Sequence, residues 1–220
     1  MNCLEREQEA ELALAWIAGD PGAFERFVDY FRGKVFHYSW LMCGHREDAE
    51  EVAQETLLKV FESGGQLREP QKVKSWVFRI AKNACLMKRR RSLYAPTEEL
   101  SLDEFMPAKW SENGQMRVQI ADWSRLPDDM LLRSEMKRLL DRAIQQLPVL
   151  YRTVILLRDM EELSTHETAQ ILDITEDLVK TRLHRARLAV RQKLDGYLRG
   201  GDHDADASAR KVQGNIRTAL

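Results

Sequence analysis

Apolar residues recur along this chain at three- and four-residue steps, and strand-like alternation is almost absent. That spacing predicts an all-α protein. The first helix is expected over about Glu5 to Ala18, where Gly19 stops it. Asp20 is placed to N-cap a second helix with Pro21 in its first position, running to about Leu41. Phe24, Phe27, Val28, Phe31, Val35 and Tyr38 form its apolar stripe. After Gly44, one face of a third helix carries Ala49, Val52, Ala53, Thr56, Leu57, Val60 and Phe61, behind acidic first turns that suit the helix dipole. Ser63-Gly64-Gly65 ends it, and Glu69-Pro70 opens a fourth with Val73, Trp76, Val77, Ile80, Ala81 and Ala84 on one side. Four such helices can close a small bundle.

The pattern then lapses. From Ser92 to about Leu132, Pro96, Pro107, Pro127, Gly114 and scattered acids interrupt a polar run, longer than compact domains usually tolerate without helix or strand. Helical spacing resumes with Leu139, Leu140, Ala143, Ile144 and Leu147, breaks at Pro148, and returns with Tyr151, Val154, Ile155 and Leu156. The stretch LSTHETAQILDITEDLVKTRLHRARL, Leu163 to Leu188, then reads as two helices joined by a tight turn. Past Leu198 there is little to bury, so that tail is expected to be disordered. The expected architecture is two small helical domains, 1–91 and 133–198, an acidic linker over 92–132 and a tail over 199–220.

Charge sharpens this division. The formal total of -1 conceals eight basic and no acidic residues between Gln71 and Arg91, followed by eight acidic and four basic residues between Ser92 and Arg133. A near-neutral sum of this kind does not argue against nucleic acid as a partner. Cys3, Cys43 and Cys85 are an odd set with no close pair along the chain, which fits a reduced, cytoplasmic protein. The amino terminus lacks a charged leader ahead of an apolar core, and no run approaches the ~20 apolar residues of a membrane span. No membrane insertion is expected.

Two constellations carry candidate chemistry. On the last long helix Val179, Leu183, Ala186 and Val190 fall on one side, while Asp177, Thr181, His184 and Arg185 point away, flanked by Lys180, Arg182 and Arg187. Such a helix can enter a major groove, with Thr175 and the flanking cations on phosphates. The same cations would also suit a solvated face of a structural helix. At the turn, where glycine often supplies positive φ, Asp173 stands instead, a residue that tolerates the left-handed region. On the fourth helix Lys72, Arg79, Asn83 and Arg90 share a stripe about 40° wide at 3.6 residues per turn, with Lys82 beside it and Trp76 at its border. A basic stripe with an amide donor can follow a single strand, although it too could be merely solvated. Trp76 matches the spacing of Val73, Val77 and Ile80, which favours the core over stacking on bases.

Enzyme readings find no support. His166-Glu167-Thr168-Ala169-Gln170 opens like HExxH but lacks the second histidine, and His37, Cys43 and His45 have irregular spacing for a metal. No P-loop, GxGxxG or GxSxG occurs. No cofactor, metal or catalytic residue is expected.

DAEEVAQETLLKVF, Asp48 to Phe61, followed by VKSWVFRIAKNACLMKRRR, Val73 to Arg91, resembles the core-binding and promoter-melting region of bacterial extracytoplasmic-function sigma factors. LPVLYRTVILLRDMEELSTHETAQILDITEDLVKTRLHRARLAV, Leu147 to Val190, resembles their promoter-binding carboxy-terminal region, in the family's order. The resemblance implies an alternative sigma factor that binds core RNA polymerase and helps melt the minus-10 element. It implies that Asp48, Glu51, Gln54 and Glu55 dock on the clamp helices of the largest polymerase subunit, and that the carboxy-terminal domain meets the flap of the second. By the same resemblance, Lys72, Lys74, Arg79, Lys82 and Asn83 hold the opened non-template strand, with the loop from Ser63 to Gln71. Thr175, Asp177, Lys180, Thr181, Arg182, His184 and Arg185 read the minus-35 duplex, and the acidic linker enters the polymerase cleft. An anti-sigma factor is an expected partner. Without the first two segments, the helix-turn-helix alone would describe a regulator that binds duplex DNA and needs no polymerase.

Overall fold

The computed structural model describes residues 3–91 and 130–199; the expected linker and tail lie outside the described residues, apart from 130–132 and 199. Within these limits the chain is helical and has no strand. The elements are α1 (Cys3–Ile17), α2 (Ala23–Cys43), α3 (Arg46–Glu62), α4 (Val73–Arg91), α5 (Met130–Gln145), α6 (Val149–Ile155), α7 (Thr165–Leu172) and α8 (Glu176–Arg199). Short 3₁₀ turns at Gly64–Gln66 and Pro70–Lys72 link α3 to α4.

Helices α1 to α4 form one bundle around Phe27, Phe31, Val35, Tyr38, Leu41 and Met42 of α2, Val52 and Val60 of α3, and Val73, Val77, Phe78, Ala81, Ala84 and Cys85 of α4. Three expectations need correction. Asp20 does not N-cap α2, which begins at Ala23 after Gly22, whose left-handed backbone (φ 68°) excludes an earlier start. Asp20 contributes only its carbonyl, 3.0 Å from the Ala23 amide. Phe61 is not interior: it is 56% exposed at the bundle edge, its ring 4.8 Å from that of Phe24. On α4 the interior position belongs to Phe78, while Trp76 and Ile80 are half-buried. Because α4 is packed by α1, α2, α3 and α7, it buries a face wider than one stripe. Gly64 allows the chain to cross the Trp16 ring, which an added Cβ would overlap.

In the second half α5 to α8 enclose Ala143, Ile144, Leu147, Val154, Leu156, Leu157, Leu163, Val179, Leu183 and Ala186. Helix α6 ends in a π-helical turn over Leu156–Met160, closed by the Glu161 amide on Leu156 O at 3.0 Å. Glu162 follows with φ 52°. This wide turn carries Glu161 into the interior.

The two halves meet through polar contacts. The last turn of α2 leaves carbonyls without intrahelical donors, and the buried Arg152 supplies them: Nη1 donates to Met42 O at 2.9 Å, while Nε and Nη2 reach Leu147 O at 3.2 and 2.8 Å. Gln145 Nε2 donates to Trp40 O at 3.3 Å. Arg6 pairs with Glu167 at 3.0 Å, and His37 faces Asp141 at 3.7 Å. Burial holds the His37 imidazole below its usual pKa, against the pull of Asp141.

Candidate nucleic-acid interface

The helix-turn-helix is built by local chemistry. Ser164 and Glu167 form a reciprocal capping box at α7: the Glu167 amide donates to Ser164 Oγ at 3.1 Å, and the Ser164 amide to Glu167 Oε2 at 2.7 Å. Burial would raise the Glu167 pKa, but its bonds from Ser164 and Arg6 win and hold it low. Asp173 ends α7 in the left-handed region, φ 55° and ψ 49°, the conformation expected of the turn residue. Thr175 Oγ1 accepts the Leu178 amide at 3.2 Å and so caps the start of α8.

On α8, Val179, Leu183, Ala186 and Val190 are buried, while Asp177, Lys180, Thr181 and His184 are exposed and Arg182 and Arg185 partly so. Lys180 pairs with Asp177 at 3.0 Å and Thr181 Oγ1 donates to Asp177 O at 2.9 Å, contacts local to the helix. Arg187 is drawn aside by a two-pronged contact with Asp159, 2.6 and 2.8 Å. The incomplete HExxH resolves into surface chemistry: His166 contacts Glu176 and Gln170, each at 3.0 Å, and Glu167 belongs to the cap.

On α4, Arg79, Asn83 and Arg90 are exposed, and Lys72, expected on the same helix, is exposed in the 3₁₀ turn just before it. Lys72 pairs with Glu69 at 2.7 Å. Lys82 is half-buried, and burial with the neighbouring Arg79 lowers its pKa while Asp173 of the helix-turn-helix opposes. The turn of the second half therefore lies beside the cationic helix of the first.

Lys74 departs from the expected stripe. It turns inward to Glu9 at 3.5 Å and is 13% exposed. Glu9, itself buried, also accepts Tyr30 Oη and Lys34 Nζ, each at 3.1 Å. Glu161 enters the same cluster from the second half, and burial raises its pKa to about 7 despite Lys74 and Lys34. Trp76 packs with its ring 6.4 Å from Trp16, as a core residue would.

On α3, Asp48 and Glu51 both reach Lys88 of α4, at 3.3 and 2.6 Å, and Glu55 pairs with Lys59. Gln54 is exposed. Beside it stand Leu58 and Phe61, both exposed apolar side chains. Apolar spacing alone assigns Phe61 inward and gives Leu58 no place; the signal for both is a leucine off the stripe on a polar helix face. Among the described residues no group of histidine, cysteine or carboxylate side chains could hold a metal, and no helix is long and apolar enough to cross a membrane.

A cation-bearing helical bundle followed by a helix-turn-helix with a basic outer face is the architecture of a DNA-binding protein. Comparison with known proteins narrows this. Residues 27–92 match the family model for sigma-70 region 2, and residues 137–190 that for sigma-70 region 4. The chain is 32% identical to the ECF RNA polymerase sigma factor SigW of Bacillus subtilis over 80% of this chain and 91% of that protein. It is 31% identical to the ECF RNA polymerase sigma factor SigM of Mycobacterium tuberculosis (strain ATCC 25618 / H37Rv), over 88% and 87%. In fold it is similar to the sigma factor RpoE from Bartonella quintana, solved in complex with the anti-sigma factor NepR, with a TM-score of 0.54, 18% identity and 79% of this chain covering 98% of that one. The chain belongs to the ECF RNA polymerase sigma factors. It is an alternative sigma factor, a subunit of transcription initiation.

Proposed function

We propose that this sigma factor acts in the cytoplasm and divides promoter recognition between α4 and α8. Helix α3 docks on the clamp helices of the largest polymerase subunit through Asp48, Glu51, Gln54 and Glu55, with Leu58 and Phe61 supplying the apolar part of that contact. The carboxy-terminal half meets the flap of the second subunit. Lys72, Arg79, Lys82 and Asn83 hold the opened non-template strand of the minus-10 element, whereas Lys74 belongs to the internal charge cluster. Thr175, Asp177, Lys180, Thr181, Arg182, His184 and Arg185 face the minus-35 duplex.

The observation that carries this reading is the shared exposure of Arg79 and Asn83 on one bundle helix, with Lys72 exposed in the 3₁₀ turn that leads into it, in a chain whose helix-turn-helix presents a second, separate polar face. Melting a few base pairs costs several kcal/mol of stacking, so opening needs a site that keeps the displaced strand. Nucleotide chemistry stays with the polymerase. An anti-sigma factor fits as the restraining partner, as the complex of RpoE with NepR illustrates for a protein of the same fold.

Run-off transcription with purified core polymerase and a genomic promoter library tests the reading. Promoter-specific initiation should rise on a subset of templates; no rise on any template overturns it.

A further inference from the structure

The mechanism above makes no use of two cysteines that are far apart in sequence and adjacent in the fold. Cys43 closes α2 and is partly exposed, and Cys85 lies fully buried in the middle of α4. Two contacts fix how these helices lie side by side. Cys85 Sγ is 3.8 Å from Ser39 Oγ, and one turn further along α4 Arg89 Nη1 donates to Met42 O at 3.2 Å. Cys43 is one turn beyond Ser39 on the same face of α2. Its side chain leans back toward the start of its own helix, so its sulfur faces the Cys85 turn of α4, and each thiol shifts the pKa of the other.

We propose that Cys43 and Cys85 are a peroxide-sensitive dithiol that closes into an intramolecular disulfide, joining the end of α2 to α4. The Cys43 thiolate attacks one oxygen of hydrogen peroxide, the O–O bond breaks, and the departing hydroxide takes up a proton as water. Cys43 is thereby oxidised to the sulfenic acid. The Cys85 sulfur then attacks Cys43 Sγ, forming the S–S bond and breaking S–O; the hydroxyl leaves with the Cys85 proton as a second water. Two thiols and one peroxide give one disulfide and two waters.

The surroundings divide the roles. The interaction with Cys85 holds the Cys43 thiol below its usual pKa, against burial and the Asp48 carboxylate, with Arg89 and Lys88 also favouring the anion. That same interaction, then burial, pushes Cys85 well up. Cys43 is thus the accessible nucleophile and Cys85 the protected resolving thiol. Once Cys43 becomes a neutral sulfenic acid, the charge that kept the proton on Cys85 is gone and the second step is released. Disulfides of reducing compartments are usually transient and redox-sensing. Here the bond would fix α4, whose Lys88 already holds Asp48 and Glu51 of the polymerase-docking helix.

Peptide mapping of the full chain tests this. After hydrogen peroxide, alkylation and trypsin without reductant, the peptide Val35–Arg46 should be joined to Asn83–Lys88. Two of the three thiols should be lost, both recoverable with dithiothreitol, while Cys3 remains alkylated. Cys85→Ser should stop the reaction at a sulfenic acid on Cys43 that dimedone traps, and Cys43→Ser should leave Cys85 unreactive. Cys43 driven to sulfinic or sulfonic acid while Cys85 stays alkylatable, or a disulfide through Cys3, would overturn the proposal.

Discussion

Helices α4 and α8 are both basic, yet they hold their charge differently. On α4, Lys74 is buried against Glu9, Lys88 is shared between Asp48 and Glu51, and Lys82 is half-buried beside Asp173. On α8 the Lys180 partner is Asp177, three residues away on the same exposed surface. Exposed pairs one turn apart are worth a few tenths of a kcal/mol and are easily exchanged for phosphate. Buried pairs are not exchanged without rearrangement. On the proposed division of promoter contacts, α8 is therefore ready as it stands, whereas α4 is partly committed to contacts within the protein.

The largest effect expected from testing this contrast lies between the halves. Arg152→Met keeps the volume but removes the donors to Met42 O and Leu147 O, and should cost about 3 kcal/mol in urea denaturation. A loss below ~1 kcal/mol would mean that Arg89 alone satisfies the end of α2. Changing Arg79 and Asn83 together to Ala should weaken strand capture by about 2 kcal/mol. Permanganate reactivity of the minus-10 element should fall while polymerase binding is unchanged; normal melting would return the stripe to an ordinary solvated face.

The Glu161 cluster predicts a pH dependence. The groups facing it are Lys74, Lys34, Glu9 and Glu162, and its folded pKa of about 7 lies above the usual 4.5. A raised pKa means that the folded form binds the proton more tightly. This contribution is complete below about pH 4.5 and is lost as pH rises to about 7. Glu161→Gln should flatten the fall in urea midpoint across that window, a difference on the order of 2 kcal/mol; an unchanged profile would assign the titration elsewhere. Next, Arg185→Ala should weaken minus-35 binding by about 1–2 kcal/mol, selectively among sequences if it contacts a base. An equal loss on every sequence would make it a phosphate contact. Smallest of all, Arg187→Ala should cost below about 1 kcal/mol in stability despite its two-pronged pair with Asp159, since that pair is largely exposed.

What could be read from the sequence was local. Helix α3, the restart at Pro70, the break at Pro148 and the turn at Asp173 follow from spacing, capping and backbone preference, and all are present. What escaped was tertiary. Lys74 sits within a run of cations, and nothing along the chain says that Glu9, 65 residues earlier, would claim it. Phe78 falls outside the single apolar stripe that spacing gives α4, and is buried because that helix is packed on several sides. The π turn has no signature in apolar spacing, yet it decides that Glu161 points inward. Asp20 and Pro21 formed a sound helix start, overruled by one glycine at position 22.

Arg152 has a consequence for modularity. Sigma regions 2 and 4 read as separable units, but here the cap of a helix in one is a side chain of the other. A fragment ending near residue 91 would leave Met42 O to Arg89 alone and would lose the donor that Gln145 gives to Trp40 O. Grafting the amino-terminal half onto another relative would restore the full closure of α2 only if the incoming half brought a donor to that place beside Arg89.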